Sequence, residues 1–168
     1  PRSEFLISFM YESIVRWRNH PDHEETFDNL FGCPEWRNAD AFDDPKDRRR
    51  FLLDLYTSQL EKAGLKYTRT FEMRDEGNRT EYVLVFASHS IEGLKAMKDA
   101  MWKVDPAGGV QFSDATVSSQ LTLISPEPDY FQLKQQIVGN FTGQQVTVED
   151  VERFVVVDTA FRETHFKR

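Results

Sequence analysis

Four adjacent residues, Phe9-Met10-Tyr11-Glu12, have types that could do chemistry where a strand ends. In an open α/β sheet, ligands bind at the carboxyl ends of the strands. There, Tyr11 and Glu12 could face a substrate, while Phe9 and Met10 could line a base-sized pocket by stacking. The plainer reading makes Phe9 and Met10 core residues and Glu12 the start of a helix, because all four types are ordinary at such a junction. A second group lies at the other end of the chain: Arg162, Thr164, His165, Lys167 and Arg168. These suit phosphate or base-edge contacts, and a recognition helix presents such residues near its N-terminus. Glu163 and Asp158 temper the positive charge, and a helix used for protein contact would serve equally.

Other clusters carry less. His20-Pro21-Asp22-His23-Glu24 gathers ligand types, but its spacing matches no strong zinc pattern and no cysteine pair assists. It reads as a solvated loop with Asp22 as a helix cap. Lys46-Asp47-Arg48-Arg49-Arg50 opens a helix beside Asp43, Asp44 and Asp54. It reads as a solvated face with local ion pairs, the alternative being a phosphate-contacting patch. Cys33, the single cysteine, cannot form an internal disulfide, and a buried or half-buried structural role is expected over that of a nucleophile. No nucleophile–base pair, phosphate loop or metal cluster stands at recognisable spacing.

These residues need elements to hold them. Glu4 to Met10 is a nearly continuous apolar run, as in a parallel strand covered on both faces. A helical turn with Ile14 and Trp17 follows, then an irregular acidic region. Phe27, Leu30 and Phe31 form a short helical face that Gly32 can end, and Pro34 can start a turn carrying Trp36. Asp44-Pro45 supplies a cap and a first-turn proline for a helix whose inner face is Phe51, Leu52, Leu55, Tyr56 and Leu60, ending at Gly64. Tyr67 to Arg74 and Tyr82 to Ala87 make a hairpin about Glu76-Gly77-Asn78. A helix capped by Ser90 buries Ile91, Leu94, Met97, Met101 and Trp102, and Asp105-Pro106 stops it. Pro126 and Pro128 mark a boundary. Beyond it, Tyr130 to Phe141 is helical, and Thr147 to Asp150 resembles a capping box. It precedes a buried stripe of Val148, Val151, Phe154 and Val155. A last helix begins at about Ala160 and runs to Arg168.

Strands alternating with helices make the class α/β. With 39% hydrophobic and 29% charged residues the chain is globular rather than disordered. No run approaches the ~18 apolar residues of a membrane span, and no signal peptide is visible. The lone cysteine fits a reducing compartment, so a cytoplasmic location without membrane contact is expected. A formal net charge of −7 argues against a nucleic-acid binder that uses its whole surface, although a local basic patch is allowed.

Several stretches resemble the three-Cys-motif partner family (TcmP), which carries a methyltransferase-like domain. They are Phe71 to Asp75, Leu84 to Ala87 and, longest, Gly93-Leu94-Lys95-Ala96-Met97-Lys98-Asp99-Ala100-Met101-Trp102-Lys103-Val104-Asp105-Pro106. Phe9 to Ile14 and Phe112-Ser113-Asp114 add to them, and the tail from Val146 to Arg168 resembles the start of a winged helix-turn-helix. The resemblance implies a partial Rossmann-like, class I methyltransferase-like sheet with a terminal β-hairpin over residues 1–125. It implies an incomplete winged helix-turn-helix over residues 126–168, whose third helix begins near Arg162. It also implies that a glycine-rich loop and an Asp-Pro-Phe-Gly-type motif belong upstream of the first strand. On that expectation the chain is the carboxy-terminal part of a longer protein. It would bind no cofactor by itself, and S-adenosylmethionine would belong to the full-length parent. The implied partners are a three-Cys-motif protein of radical-SAM type and nucleic acid.

Overall fold

The computed structural model describes residues 3–113 and 127–167. It is a mixed α/β structure built on a four-stranded mixed sheet. Strand β1 (Phe5–Phe9) leads into helix α1 (Tyr11–Trp17), a 3-10 turn (Pro21–His23), α2 (Glu24–Phe31), a longer 3-10 segment (Pro34–Ala41) and α3 (Pro45–Lys62). The hairpin β2 (Tyr67–Arg74) and β3 (Thr80–Ser88) follows, then α4 (Ile91–Val104) and a short β4 (Gln111–Ser113). The helices α5 (Tyr130–Phe141), α6 (Val148–Asp158) and α7 (Glu163–Phe166) form an appendage.

The strand order is β1-β3-β2-β4. β3 runs antiparallel to both β1 and β2, so β1 and β2 are parallel to each other, and β4 pairs parallel with β2. β3 is the central strand, and its apolar run sends side chains to both faces. Val83 and Val85 join Phe9, Phe31, Leu52 and Tyr56 in one core beneath α1, α2 and α3. Phe86 joins Leu94 of α4 and Val156 of α6 in the other. Alternation along the strand assigns each residue its side.

The reading of β1 as a parallel strand covered on both faces is corrected. It pairs antiparallel with β3 and forms an edge, with Phe5 and Leu6 exposed at 45% and 57%. A continuous apolar run does not distinguish a strand sandwiched between layers from an edge strand with one wet face. β4 was not anticipated, because three residues carry too little periodicity to register.

Most local signals act as their chemistry requires, although Ser90 opens α4 without a side-chain cap bond, its hydroxyl donating to Glu92 Oε2 at 2.6 Å instead. Asp44 accepts the Lys46 N–H at 2.7 Å and opens α3. Gly32 closes α2 at φ 65°, a left-handed conformation that a side chain disfavours. Gly109 combines φ 66° with close approach to the Trp102 indole, where a Cβ would stand 2.4 Å from Nε1. Thr147 and Asp150 form a reciprocal capping box at the start of α6. In the 3-10 turn the cap is His20, whose Nδ1 accepts from the Asp22 N–H, in place of the expected Asp22.

Two expectations for the appendage change. Val148 is 64% exposed, and the buried stripe of α6 centres on Val155 and Val156. The last helix is a single turn, Glu163–Phe166, instead of a run from Ala160. Phe161 is tucked under it in the Trp102 cluster. Arg168, Asp114 and the 125/126 boundary lie outside the described residues.

The sharpest departure from the helical pattern is Lys98, 2% exposed on the inner face of α4. Its ammonium donates to three carbonyls at the end of α6: Val155 at 3.0 Å, Val156 at 2.8 Å and Thr159 at 3.1 Å. Arg69 of β2 adds a bond to Val157 O at 2.8 Å, and Trp102 Nε1 donates to Ala160 O at 2.8 Å. Burial, with the Arg69 charge nearby, pushes the Lys98 pKa down to about 6. The carbonyls pull the other way, since a neutral amine has two N–H groups for three acceptors. Replacing Lys98 by Met should destabilise the chain by about 2 kcal/mol or more in urea unfolding, because the Val156 and Thr159 carbonyls lose their donor, each at a cost of about 1–3 kcal/mol, while Val155 O keeps the Thr159 hydroxyl. A loss below about 0.5 kcal/mol would show that the appendage is held by other means.

Candidate functional site

The four residues at the end of β1 divide between two different surfaces. Phe9 is 2% exposed and packs on Phe31 and Tyr56, with ring centroids 6.1 and 5.1 Å away. Met10 is 48% exposed. Both border an apolar groove of about 300 Å3 along β1, closed by Ile14, Trp17, Phe27 and Leu30. Phe9 presents its ring to the core and has no free face for a base to stack on.

Tyr11 and Glu12 begin α1 and line a separate, polar cleft of about 340 Å3. Tyr11 is 5% exposed, and its hydroxyl donates to Pro45 O at 3.0 Å, which joins α1 to the start of α3. Burial pushes the Tyr11 phenol pKa up, with Arg48 opposing. Glu12 is exposed in the first turn. The other side of the cleft comes from Lys46 and Arg49 of α3 and from Arg74, Asn78 and Thr80 of the hairpin.

The basic run Lys46–Arg50 therefore does more than coat a helix. Arg48 donates to the carbonyls of Ala39, at 3.2 Å, and Phe42. Arg49 donates to Thr80 Oγ1 at 2.7 Å and meets Glu72 at 3.2 Å. Only Arg50 keeps the expected ion pair along its own helix, 3.7 Å from Asp54. Glu72 is shared: Arg74 donates to its Oε2 through Nε at 3.0 Å and Nη2 at 2.7 Å, and Thr80 Oγ1 donates to the same oxygen at 3.2 Å. One carboxylate thus fixes two guanidinium groups across the junction of α3 and the sheet. Sequence reasoning missed Glu72, Arg74, Asn78 and Thr80. Their signal was the hairpin itself, whose register puts Glu72 and Arg74 on the α3 side.

At the other end, Arg162 and His165 turn inward, and Lys167 is exposed but ion-paired. His165 is 5% exposed, with its ring 4.4 Å from that of Trp102 in an edge-on contact. Arg162 lies over Trp102 at 5.8 Å, donates to His165 Nε2 at 3.1 Å and meets Asp99 at 3.4 Å. Lys167 bonds Glu163, and Glu152 at 3.2 Å, while Lys95 of α4 bonds the same two carboxylates. Thr164 is exposed. A helix of four residues whose cations are paired with neighbouring carboxylates offers little free charge to phosphate.

No family model, curated protein or solved structure matches this chain. Function has to be argued from the arrangement itself.

The remaining clusters are structural. His20 and His23 meet Trp17 edge-on, and His23 also lies 6.2 Å from Phe27. Among the described residues, no three His, Cys, Asp or Glu side chains converge as metal ligands. Cys33 accepts from Gln59 Nε2 at 3.2 Å, and burial raises its thiol pKa. A raised pKa keeps the weakly nucleophilic thiol form. Among the described residues no helix is long and apolar enough to cross a membrane.

The Glu163 network has a measurable signature. Lys167 first, and then Lys95, hold the Glu163 carboxyl well below its ordinary value of 4.5, at about 2. A carboxyl whose folded pKa is depressed adds stability above its unfolded pKa, and loses it as pH falls through the folded value. The melting temperature of Glu163→Gln should fall below wild type at pH 7, and the gap should close as pH drops from about 4.5 to about 2. A gap that does not depend on pH would mean that the carboxylate charge is not what holds α7.

Proposed function

We propose that this chain is the carboxy-terminal part of a methyltransferase-like protein of the three-Cys-motif partner type, whose parent acts on nucleic acid or a related substrate. The polar cleft beside Tyr11 and Glu12 would be its substrate-facing edge. The observation that carries the reading is the sheet. A hairpin whose second strand is inserted, reversed, between β1 and a parallel β2 is what the resemblance implies for the end of a class I methyltransferase-like sheet with a terminal hairpin. Helices on both faces add support.

The same reading asks for further strands along the outer edge of β1. Phe5, Leu6, Met10, Trp17 and Leu30 are exposed there, and an apolar groove runs beside them. Large exposed apolar residues grouped at a sheet edge mark a surface meant to be covered. S-adenosylmethionine and the target group would be held by that upstream half. This chain would contribute late strands and one wall of the substrate site, without being catalytic alone.

A second reading keeps the methyltransferase-like fold as a platform and gives the activity to the appendage as a binding module. Exposed Phe131 at 70%, Val138 at 54% and Val148 at 64% favour protein contact for it over DNA, because the cations of α7 are already paired. Its implied partner is a three-Cys-motif protein of radical-SAM type.

Calorimetry separates the two halves of the first reading. The 168-residue chain should show no S-adenosylmethionine binding, whereas the parent with an intact upstream glycine-rich loop should bind it. Micromolar binding by the chain alone would mean that the cofactor site has been misplaced. For the second reading, Phe131→Asp should abolish co-purification with the three-Cys-motif protein. Equal recovery of wild type and variant would remove α5 as the contact.

A further inference from the structure

We infer that the cleft between the start of α3 and the β2–β3 hairpin is a phosphate-binding subsite, taking a phosphate ester through Lys46, Arg49 and Arg74. This deepens the nucleic-acid reading above and rests on it only for the source of the phosphate.

The argument begins with charge. The chain as a whole is acidic, at −7, yet three cations and two carboxylates meet here. Lys46, Arg49 and Arg74 stand against Glu12 and Glu72, which leaves one net positive charge. Lys46 is exposed and has no carboxylate partner among the described residues. An unneutralised cation beside a concavity attracts an anion of matching size.

Geometry adds selectivity. Arg49 and Arg74 are about three-quarters buried, with side-chain exposures of 23% and 25%. Glu72 binds both, so their planes are set before any ligand arrives. Its shared carboxylate uses only part of ten guanidinium N–H donors, five on each arginine. Arg74 also donates to Asn78 Oδ1 at 3.3 Å, which leaves the Asn78 amide NH2 as a further donor at the rim. Cations reaching from a helix on one side and a hairpin on the other can bond several oxygens of a tetrahedral group. Arginine forks with a point-charge lysine are the usual chemistry for phosphate. The N-terminus of α3 contributes nothing extra, because Asp44 already accepts the Lys46 N–H.

A phosphodiester backbone and a free phosphorylated small molecule share this chemistry. A second concavity of about 240 Å3 borders the same Lys46–Arg49 ridge, reaching Arg50 and Thr70. That hollow also carries Asp54 and Glu72, which pair with Arg50 and Arg49, so Lys46 is the spare cation that both hollows share, and the oligonucleotide arm of the test distinguishes the two sources.

The test uses the full 168-residue chain. Pyrophosphate is titrated by amide NMR, and a fluorescent single-stranded oligothymidylate by anisotropy across a salt series. The variants are Lys46→Gln, Arg74→Gln and, as a control of equal charge change on α4, Lys103→Gln. Wild type should show shifts at Lys46, Arg49 and Asn78. Lys46→Gln should weaken pyrophosphate binding about tenfold, since it removes one charge-assisted bond, and Lys103→Gln should change it less than about twofold. The oligonucleotide salt slope should fall by roughly one for Lys46→Gln. Lys46 holds no other side chain, so its loss does not depend on refolding. No pyrophosphate binding by wild type, or equal losses in Lys46→Gln and Lys103→Gln, would overturn the subsite. Pyrophosphate binding at these residues without oligonucleotide binding would keep the subsite and overturn the nucleic-acid reading. Oligonucleotide binding that is indifferent to Lys46 and Arg74 would overturn nucleic acid as the source of the phosphate in this subsite.

Discussion

One buried lysine sets how the two parts of this protein meet. Lys98 leaves α4 and reaches the carbonyls of Val155, Val156 and Thr159, the groups that a helix leaves without partners at its C-terminal end. The negative end of the α6 dipole favours a cation there. Arg69 bonds the neighbouring Val157 carbonyl from the sheet, so a helix and a strand both hold the end of α6. Trp102 extends the joint, bonding Ala160 and packing against His165. Once α6 is fixed on this face, α7 has one place to go, and its charged residues close over α4.

That constraint explains why the terminal cations and the hairpin cations differ in what they can do. Around α7, Lys95 and Lys167 meet Glu152 and Glu163 in equal number, and the group is close to neutral. Its role is to hold the appendage. Around the hairpin, one carboxylate serves two arginines, and Lys46 is left over. The cleft is positive because Glu72 is shared and not because many basic residues gather there. Tyr11 supports the same cleft indirectly, by pinning the start of α3 through Pro45. The apolar groove beside β1 is a different kind of surface, suited to packing more than to polar recognition.

Much of the architecture was readable from local patterns. Asp44-Pro45 announced the start of α3, Gly32 the left-handed end of α2, and Thr147 with Asp150 a capping box, because each acts within a few residues of itself. The hairpin followed from alternation about a turn. Where two structures share one pattern, the reading failed. The run at Phe5 to Phe9 fits an edge strand as well as a sandwiched one, and only the pairing with β3 decides between them. Lys98 fell on the inner face of α4 by spacing, yet lysine is almost never fully buried, so the pattern passed over it. The cleft residues Glu72, Arg74, Asn78 and Thr80 lie more than 20 residues from Lys46 and Arg49, and no local window contains both groups.

The sequence by itself determined most of the helices and strands, several of their caps, and that the chain is an acidic α/β protein with a single cysteine. Those are short-range matters of propensity, capping and hydrophobic period. Tertiary structure alone decided which cations are spent and which are free. Arg162 and Lys167 look available in a linear reading but are engaged by Asp99, Glu152 and Glu163. Lys46 looks like one charge in a solvated run but borders a cleft with positive charge to spare. An ion pair depends on distance in space, and distance between residues far apart in the chain is fixed only when the sheet register and helix packing bring them together.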